Sequence, residues 1–175
     1  LLAVFPEVST AELNDELDEK GPTFPQFVID HGLGPMWHER TDRSELFASR
    51  RSAEALYMAQ AQALEEIDTL LDTEGIQYAV FNGAANRLSL YDTPAIRACH
   101  DLDLLVRPED RVQAASALAS AGFRPTIDPQ IIGHEMEMSR KRITVDLHWG
   151  LLRGGRLRTD PVGDMLDRRC RTNGI

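Results

Sequence analysis

Asp101 and Asp103 stand one residue apart in Asp101-Leu102-Asp103-Leu104-Leu105-Val106, a run that alternates as a strand does. Side chains of a strand point to alternate faces, so Leu102, Leu104 and Val106 point one way and the two carboxylates share the other. Like charges this close in a partly desolvated place repel strongly unless one takes a proton or a cation neutralises both. The pair is therefore a candidate divalent-metal site; the plainer alternative is two acids that cap and solubilise a sheet edge. Ile143-Thr144-Val145-Asp146-Leu147-His148-Trp149 alternates in the same way, with Val145, Leu147 and Trp149 expected on the buried side and Asp146 and His148 on the other. Beside the first strand, it would bring Asp146 over the same spot as a third carboxylate. Hard oxygen ligands of this kind suit Mg²⁺ or Mn²⁺.

The elements around these strands follow from local signals. Ile76-Gln77-Tyr78-Ala79-Val80-Phe81 is rich in β-formers and ends in Asn82-Gly83-Ala84, where a short helix over 84–91 is expected to start. That puts the positive end of a helix and its free N–H groups at a strand exit, where a phosphate chain can bind and where Gly83 leaves room for it. Asn86 and Arg87, in the first turn, are candidates to touch a base, sugar or phosphate. Residues 44–74 contain no Gly or Pro, and Leu46, Phe47, Leu56, Tyr57, Leu64, Ile67, Leu70 and Leu71 form an apolar stripe. This reads as one long helix, or two with a soft break near Ser52, ended by Gly75. Downstream, Arg107-Pro108-Glu109-Asp110 opens a helix that Gly122 closes, and Glu135-Met136-Glu137-Met138 reads as a strand turning through Arg140-Lys141-Arg142 into the Asp146 strand. His134 lies near the start of that strand, where a place away from the site is the preferred reading and an approach to it the alternative. A last helix is expected over 162–171.

The stretch Phe81-Asn82-Gly83-Ala84, a helix, an Asp-x-Asp strand and a later strand with a third Asp resembles the DNA polymerase β-type nucleotidyltransferase superfamily. Leu90-Tyr91, Pro94, Arg97, the 101–106 strand and Val145-Asp146-Leu147-His148-Trp149 are similar to a group of uncharacterised bacterial nucleotidyltransferases within it. The likeness runs from about Gly75 to Trp149. It implies an α/β (α+β) fold, a small mixed sheet flanked by helices. It also implies that Asp101, Asp103 and Asp146 are catalytic and hold Mg²⁺ or Mn²⁺; His148, on the face of Asp146, either orients it by a hydrogen bond or is a bystander. Asn82, Gly83, Ala84, Asn86, Arg87 and Arg97 would contact an NTP, Arg97 pairing with either a phosphate or a carboxylate of its own loop. The implied reaction moves a nucleoside monophosphate onto a hydroxyl of a small molecule or protein and releases pyrophosphate. The alternative is a module of this fold that binds a nucleotide or a protein without turnover. Asn82, where the group often has Lys, and Ala84, where the superfamily usually has Gly or Ser, favour it.

Three regions are expected: a helical, loop-rich segment over 1–43, a nucleotidyltransferase-like core over 44–150, and a basic loop with the start of a helical region over 151–175. Ser9-Thr10-Ala11-Glu12 is a capping box for the first helix, and Trp37 is a packing anchor. The net charge is −9, from 28 acidic and 19 basic residues, which argues against non-specific nucleic-acid binding. No apolar run is long enough to span a bilayer, and Cys99 and Cys170 make neither a zinc framework nor an evident disulfide. The composition fits a cytoplasmic protein. A start without Met and an end in the middle of an element fit a piece of a longer chain. Oligomeric state is not legible.

Overall fold

The computed structural model describes residues 7–126, 133–152, 159 and 161–170. The apolar stretch over 1–5, the basic residues Arg153, Arg156 and Arg158, and the expected helix end at Arg171 lie outside them. Among the described residues, seven α-helices and a five-stranded mixed sheet make an α+β fold with a helical N-terminal part. The chain divides into two compact units and passes from one to the other after Met58, Ser89 and Ala98.

The first unit comprises the described residues up to Met58 together with Leu90–Ala98. Helices α1 (Thr10–Glu19), α2 (Phe24–Asp30) and α3 (Gly34–Thr41) surround a core of Leu13, Leu17, Val28, Met36, Trp37 and Leu46. The Ser9 hydroxyl accepts from the Glu12 amide while the Glu12 carboxylate accepts from the Ser9 amide, which is the capping box that the sequence predicts. Gly34-Pro35 opens α3, since Pro fits a first helical turn that needs no N–H. Trp37, 1 % exposed, meets the edge of Phe24.

The second unit holds Ala59–Ser89 and the described residues from Cys99 onward. A 3₁₀ turn at Ser44–Leu46 leads into α4 (Phe47–Thr73), which runs through Ser52 without a break. Gly75 ends it at φ +70°, and the Ile76 amide donates back to the Leu71 carbonyl. That bond is why β1 starts at Tyr78 rather than Ile76. The strands are β1 (Tyr78–Phe81), β2 (Asp101–Val106), β3 (Arg124–Pro125), β4 (Glu135–Arg140) and β5 (Ile143–His148). Their order is β1-β2-β5-β4-β3, antiparallel except for the central β2–β5 pair. One face carries Leu102, Leu104, Val106, Val145, Leu147 and Met138. Helix α4 is tied to it by Tyr78 Oη donating to Asp68 and by an Arg140–Glu66 ion pair, and α6 (Arg111–Ser120) packs on β5. On the other face α7 (Val162–Asp167) sets Val162 and Leu166 against Leu105.

Helix α5 (Asn82–Leu90) begins two residues before the expected Ala84. Asn82 takes the left-handed conformation at φ +50°, so the chain leaves the sheet directly after Phe81; Gly83 is not among the positive-φ glycines. Asn tolerates this region better than other side-chain-bearing residues. Asn82→Ala should therefore cost about 1 kcal/mol, a fall of about 2–4 °C in Tm for a chain of this length, whereas Asn82→Gly should not. Thermal melts of the two variants check this.

Candidate functional site

Parallel pairing of β2 with β5 makes Asp103 and Asp146 direct Cα partners, and Asp101 lies two residues back on the same face of β2. Antiparallel pairing of β5 with β4 sets Glu137 beside Asp146 and Glu135 beside His148. One face of the sheet thus carries Asp101, Asp103, Asp146, Glu135 and Glu137. His148 stands among them: its Nε2 is 3.1 Å from Asp103 Oδ1 and its Nδ1 is 3.2 Å from Glu135 Oε2. Phe81 packs edge-to-face on the imidazole, with ring centroids 4.9 Å apart. Asp103 and His148 are each only 8 % exposed, whereas Glu135 and Glu137 on the same face are exposed.

Burial and the charges of Asp101, Glu137, Asp103 and Glu135 push the Asp146 carboxyl up to about 6. Its Oδ1 is buried without a hydrogen-bond partner among the described residues. An unpartnered carboxylate oxygen facing other acids is unfavourable in the protein alone and favourable beside a cation. Donor atoms of Asp103, Asp146 and His148 lie within 4.8 Å of one another, near enough to share one ion. The residues present therefore fit a divalent cation, with Asp101 adding charge.

The folded-state value of Asp146 exceeds the ordinary 3.8, so the folded chain holds this proton more tightly than the unfolded chain does. Stability linked to it is fully present below pH 3.8 and is lost as pH rises through about 6. Without metal, wild type and Asp146→Asn should melt closest together near pH 4, with the variant's advantage growing up to pH 7. Melting curves over that range test the sign.

The nucleotide-side candidates separate. Phe81 is the Cα partner of Asp103, so Asn82, Gly83 and Ala84 start α5 beside the carboxylates. Asn86 is exposed on the same helix. Arg87 is 2 % exposed and turned inward: its Nη1 donates to Gln60 Oε1 at 2.6 Å, and Gln60 Nε2 donates to the Cys99 carbonyl at 3.1 Å. Arg97 belongs to the other compact unit, where its Nη1 reaches the Ala98 carbonyl. Trp149 falls just past β5 and is part-exposed instead of buried, because its indole N–H donates to the Gly133 carbonyl.

Glu135 and Glu137 were not among the expected site residues. The signal was present: a two-residue turn at Lys141-Arg142 pairs Arg140 with Ile143, and counting back sets Glu137 opposite Asp146 and Glu135 opposite His148.

A family described as uncharacterised nucleotidyltransferases has a model that matches residues 29–174. The chain belongs to that family. No curated protein and no solved structure matches it. The family match takes in the chain from α2 onward, well beyond the Gly75 to Trp149 stretch that the sequence motifs cover. Membership in the nucleotidyltransferases points to a transferase with a nucleotide substrate, and the carboxylate and histidine groups are ones that could bind a divalent metal. No helix among the described residues is long and apolar enough to cross a membrane.

Proposed function

We propose that the chain transfers a nucleoside monophosphate from an NTP to a hydroxyl of an acceptor, a small molecule or a protein, and that Asp101, Asp103 and Asp146 hold Mg²⁺ or Mn²⁺ for this reaction. The observation that carries the reading is the buried, unpartnered Asp146 Oδ1 facing Asp103 across the β2–β5 pair. When bound, a divalent cation neutralises triphosphate charge and lowers the pKa of an acceptor hydroxyl. The start of α5 at Asn82, Gly83 and Ala84 would offer backbone N–H groups to the β- and γ-phosphates, with Asn86 toward the base or sugar. The acceptor oxygen would bond to the α-phosphorus, the bond from that phosphorus to the pyrophosphate oxygen would break, and Asp146 would take the hydroxyl proton or lower the hydroxyl's pKa through the metal. Arg87 serves this reading from beneath, by holding α5 to Gln60 and so to the loop entering β2. His148 orients Asp103 through its Nε2, where the sequence had it orienting Asp146.

A second reading, binding without turnover, draws on the neutral Asn82 and on Ala84, which is fully buried and brings no hydroxyl to a phosphate. Pyrophosphate release from each of the four NTPs with Mg²⁺ or Mn²⁺, joined to mass spectrometry for self-modification, tests the proposal. Release lost in Asp103→Asn is the expected result. Metal-dependent nucleotide binding with no release would favour the second reading, and neither binding nor release would overturn both.

A further inference from the structure

We propose that His134, Glu135 and His148 form a second metal site, for a first-row transition ion such as Zn²⁺, beside the carboxylates and independent of the nucleotidyl-transfer reading. One donor atom from each of the three lies within 4.8 Å of the others. His134 Nε2 is 3.4 Å and His148 Nδ1 3.2 Å from the same Glu135 Oε2, and the two imidazole rings are 6.2 Å apart. Two imidazoles and one carboxylate are borderline donors that suit Zn²⁺, Co²⁺ or Fe²⁺, whereas the Asp101, Asp103 and Asp146 set is all oxygen and suits Mg²⁺ or Mn²⁺. The two donor sets meet at His148, whose Nδ1 faces Glu135 and whose Nε2 faces Asp103.

The backbone fixes the triad. Glu135 and His148 are Cα partners, and the β4–β5 pairing continues past the strand ends, where the Trp149 amide donates to the His134 carbonyl at 2.9 Å and its indole to Gly133 at 3.1 Å. The support of the histidine ligand is also in place. An ion on His148 Nδ1 leaves the proton on Nε2, and Asp103 Oδ1 sits 3.1 Å from Nε2 to accept it. This carboxylate–histidine–metal chain is how protein sites orient an imidazole ligand and raise its basicity. The side chains of His134 and Glu135 are 20 % and 46 % exposed, so an ion has an entry path and keeps positions open to solvent. Occupation would lock the His148 ring and hold Asp103 through it, so that a transition ion outside the carboxylate set sets the orientation of one of its members.

Co²⁺ is the probe, because its visible absorption reports nitrogen ligation, and the whole chain is the sample. Wild type should bind one equivalent. His134→Ala and Glu135→Gln should each weaken Co²⁺ by about 100-fold or more, beyond the loss that removing an outer partner causes. Both variants should keep the Mg²⁺-induced rise in Tm, and Asp146→Asn should keep the Co²⁺ spectrum. Both substituted positions are solvent-accessible, and circular dichroism confirms that each variant is folded. Co²⁺ bound equally by the two variants, lost in Asp146→Asn while kept in His134→Ala, or never saturating in wild type would overturn the site.

Discussion

Asp146→Asn is expected to abolish metal-dependent nucleotide binding and to raise the Tm of the metal-free protein at neutral pH. The two effects share one origin. At neutral pH the wild-type carboxylate is ionised on a sheet face that it shares with Asp101, Asp103, Glu135 and Glu137, and its buried Oδ1 has no partner among the described residues. An amide of the same shape removes the charge. The shift from 3.8 to about 6, reduced for solvent screening, is worth on the order of 1 kcal/mol, or about 2–4 °C in a chain of this length. The amide is also a far poorer ligand for Mg²⁺. Metal stabilisation of a phosphoryl transition state is worth several kcal/mol, so turnover should fall by roughly 10³-fold or more. Thermal melts with and without Mg²⁺ and an NTP read both effects. A variant that melts below wild type and still gains stability from Mg²⁺ with the NTP would show that Asp146 serves packing rather than an ion.

Gln60→Leu is expected to cost the fold about 3 kcal/mol, with Tm down by about 6–12 °C. Gln60 is fully buried, accepts from the Arg87 guanidinium and donates to the Cys99 carbonyl. Leu keeps the bulk and removes both bonds, and a hydrogen bond to a charged group alone contributes about 1.5–3 kcal/mol. The loss is local in cause and wide in effect, because the same side chain joins α4, α5 and the loop that delivers Asp101. Adding Arg87→Met should recover part of the loss, since a buried polar pair replaced whole by apolar groups is often close to neutral. Chemical denaturation of the single and double variants measures this. An unchanged Gln60→Leu, or a double variant worse than the sum of the singles, would remove the pair from the framework.

What was legible in the sequence followed from period. Alternation in β2 and β5 gave their facing acids, and Gly75 and the capping box at Ser9 gave two helix ends where the structure has them. What was missed needed a second element to be read. Arg87 reads as a nucleotide contact in the first turn of α5 until Gln60 is seen on the same α4 stripe as Ala63, Leu64 and Ile67. A polar residue there must find a partner in the interior. Glu135 and Glu137 look like the solvent side of an edge until the Lys141-Arg142 turn fixes their register. Asn82, read from sequence only as a nucleotide contact, carries a left-handed bend, because which residue bends at a strand exit depends on how far β1 extends.

The order of the sheet also bears on how it assembles. The β4–β5 hairpin closes across two residues, whereas β2 and β5 are separated by a helix and two short strands and must meet late. That meeting brings a ribbon bearing Glu135, Glu137 and Asp146 against a ribbon bearing Asp101 and Asp103. Repulsion is already present within each ribbon, between Glu137 and Asp146 in one and between Asp101 and Asp103 in the other, and their docking adds to it. Divalent ions that suit the finished sheet face are therefore expected to speed refolding, which refolding rates measured with and without Mg²⁺ would read.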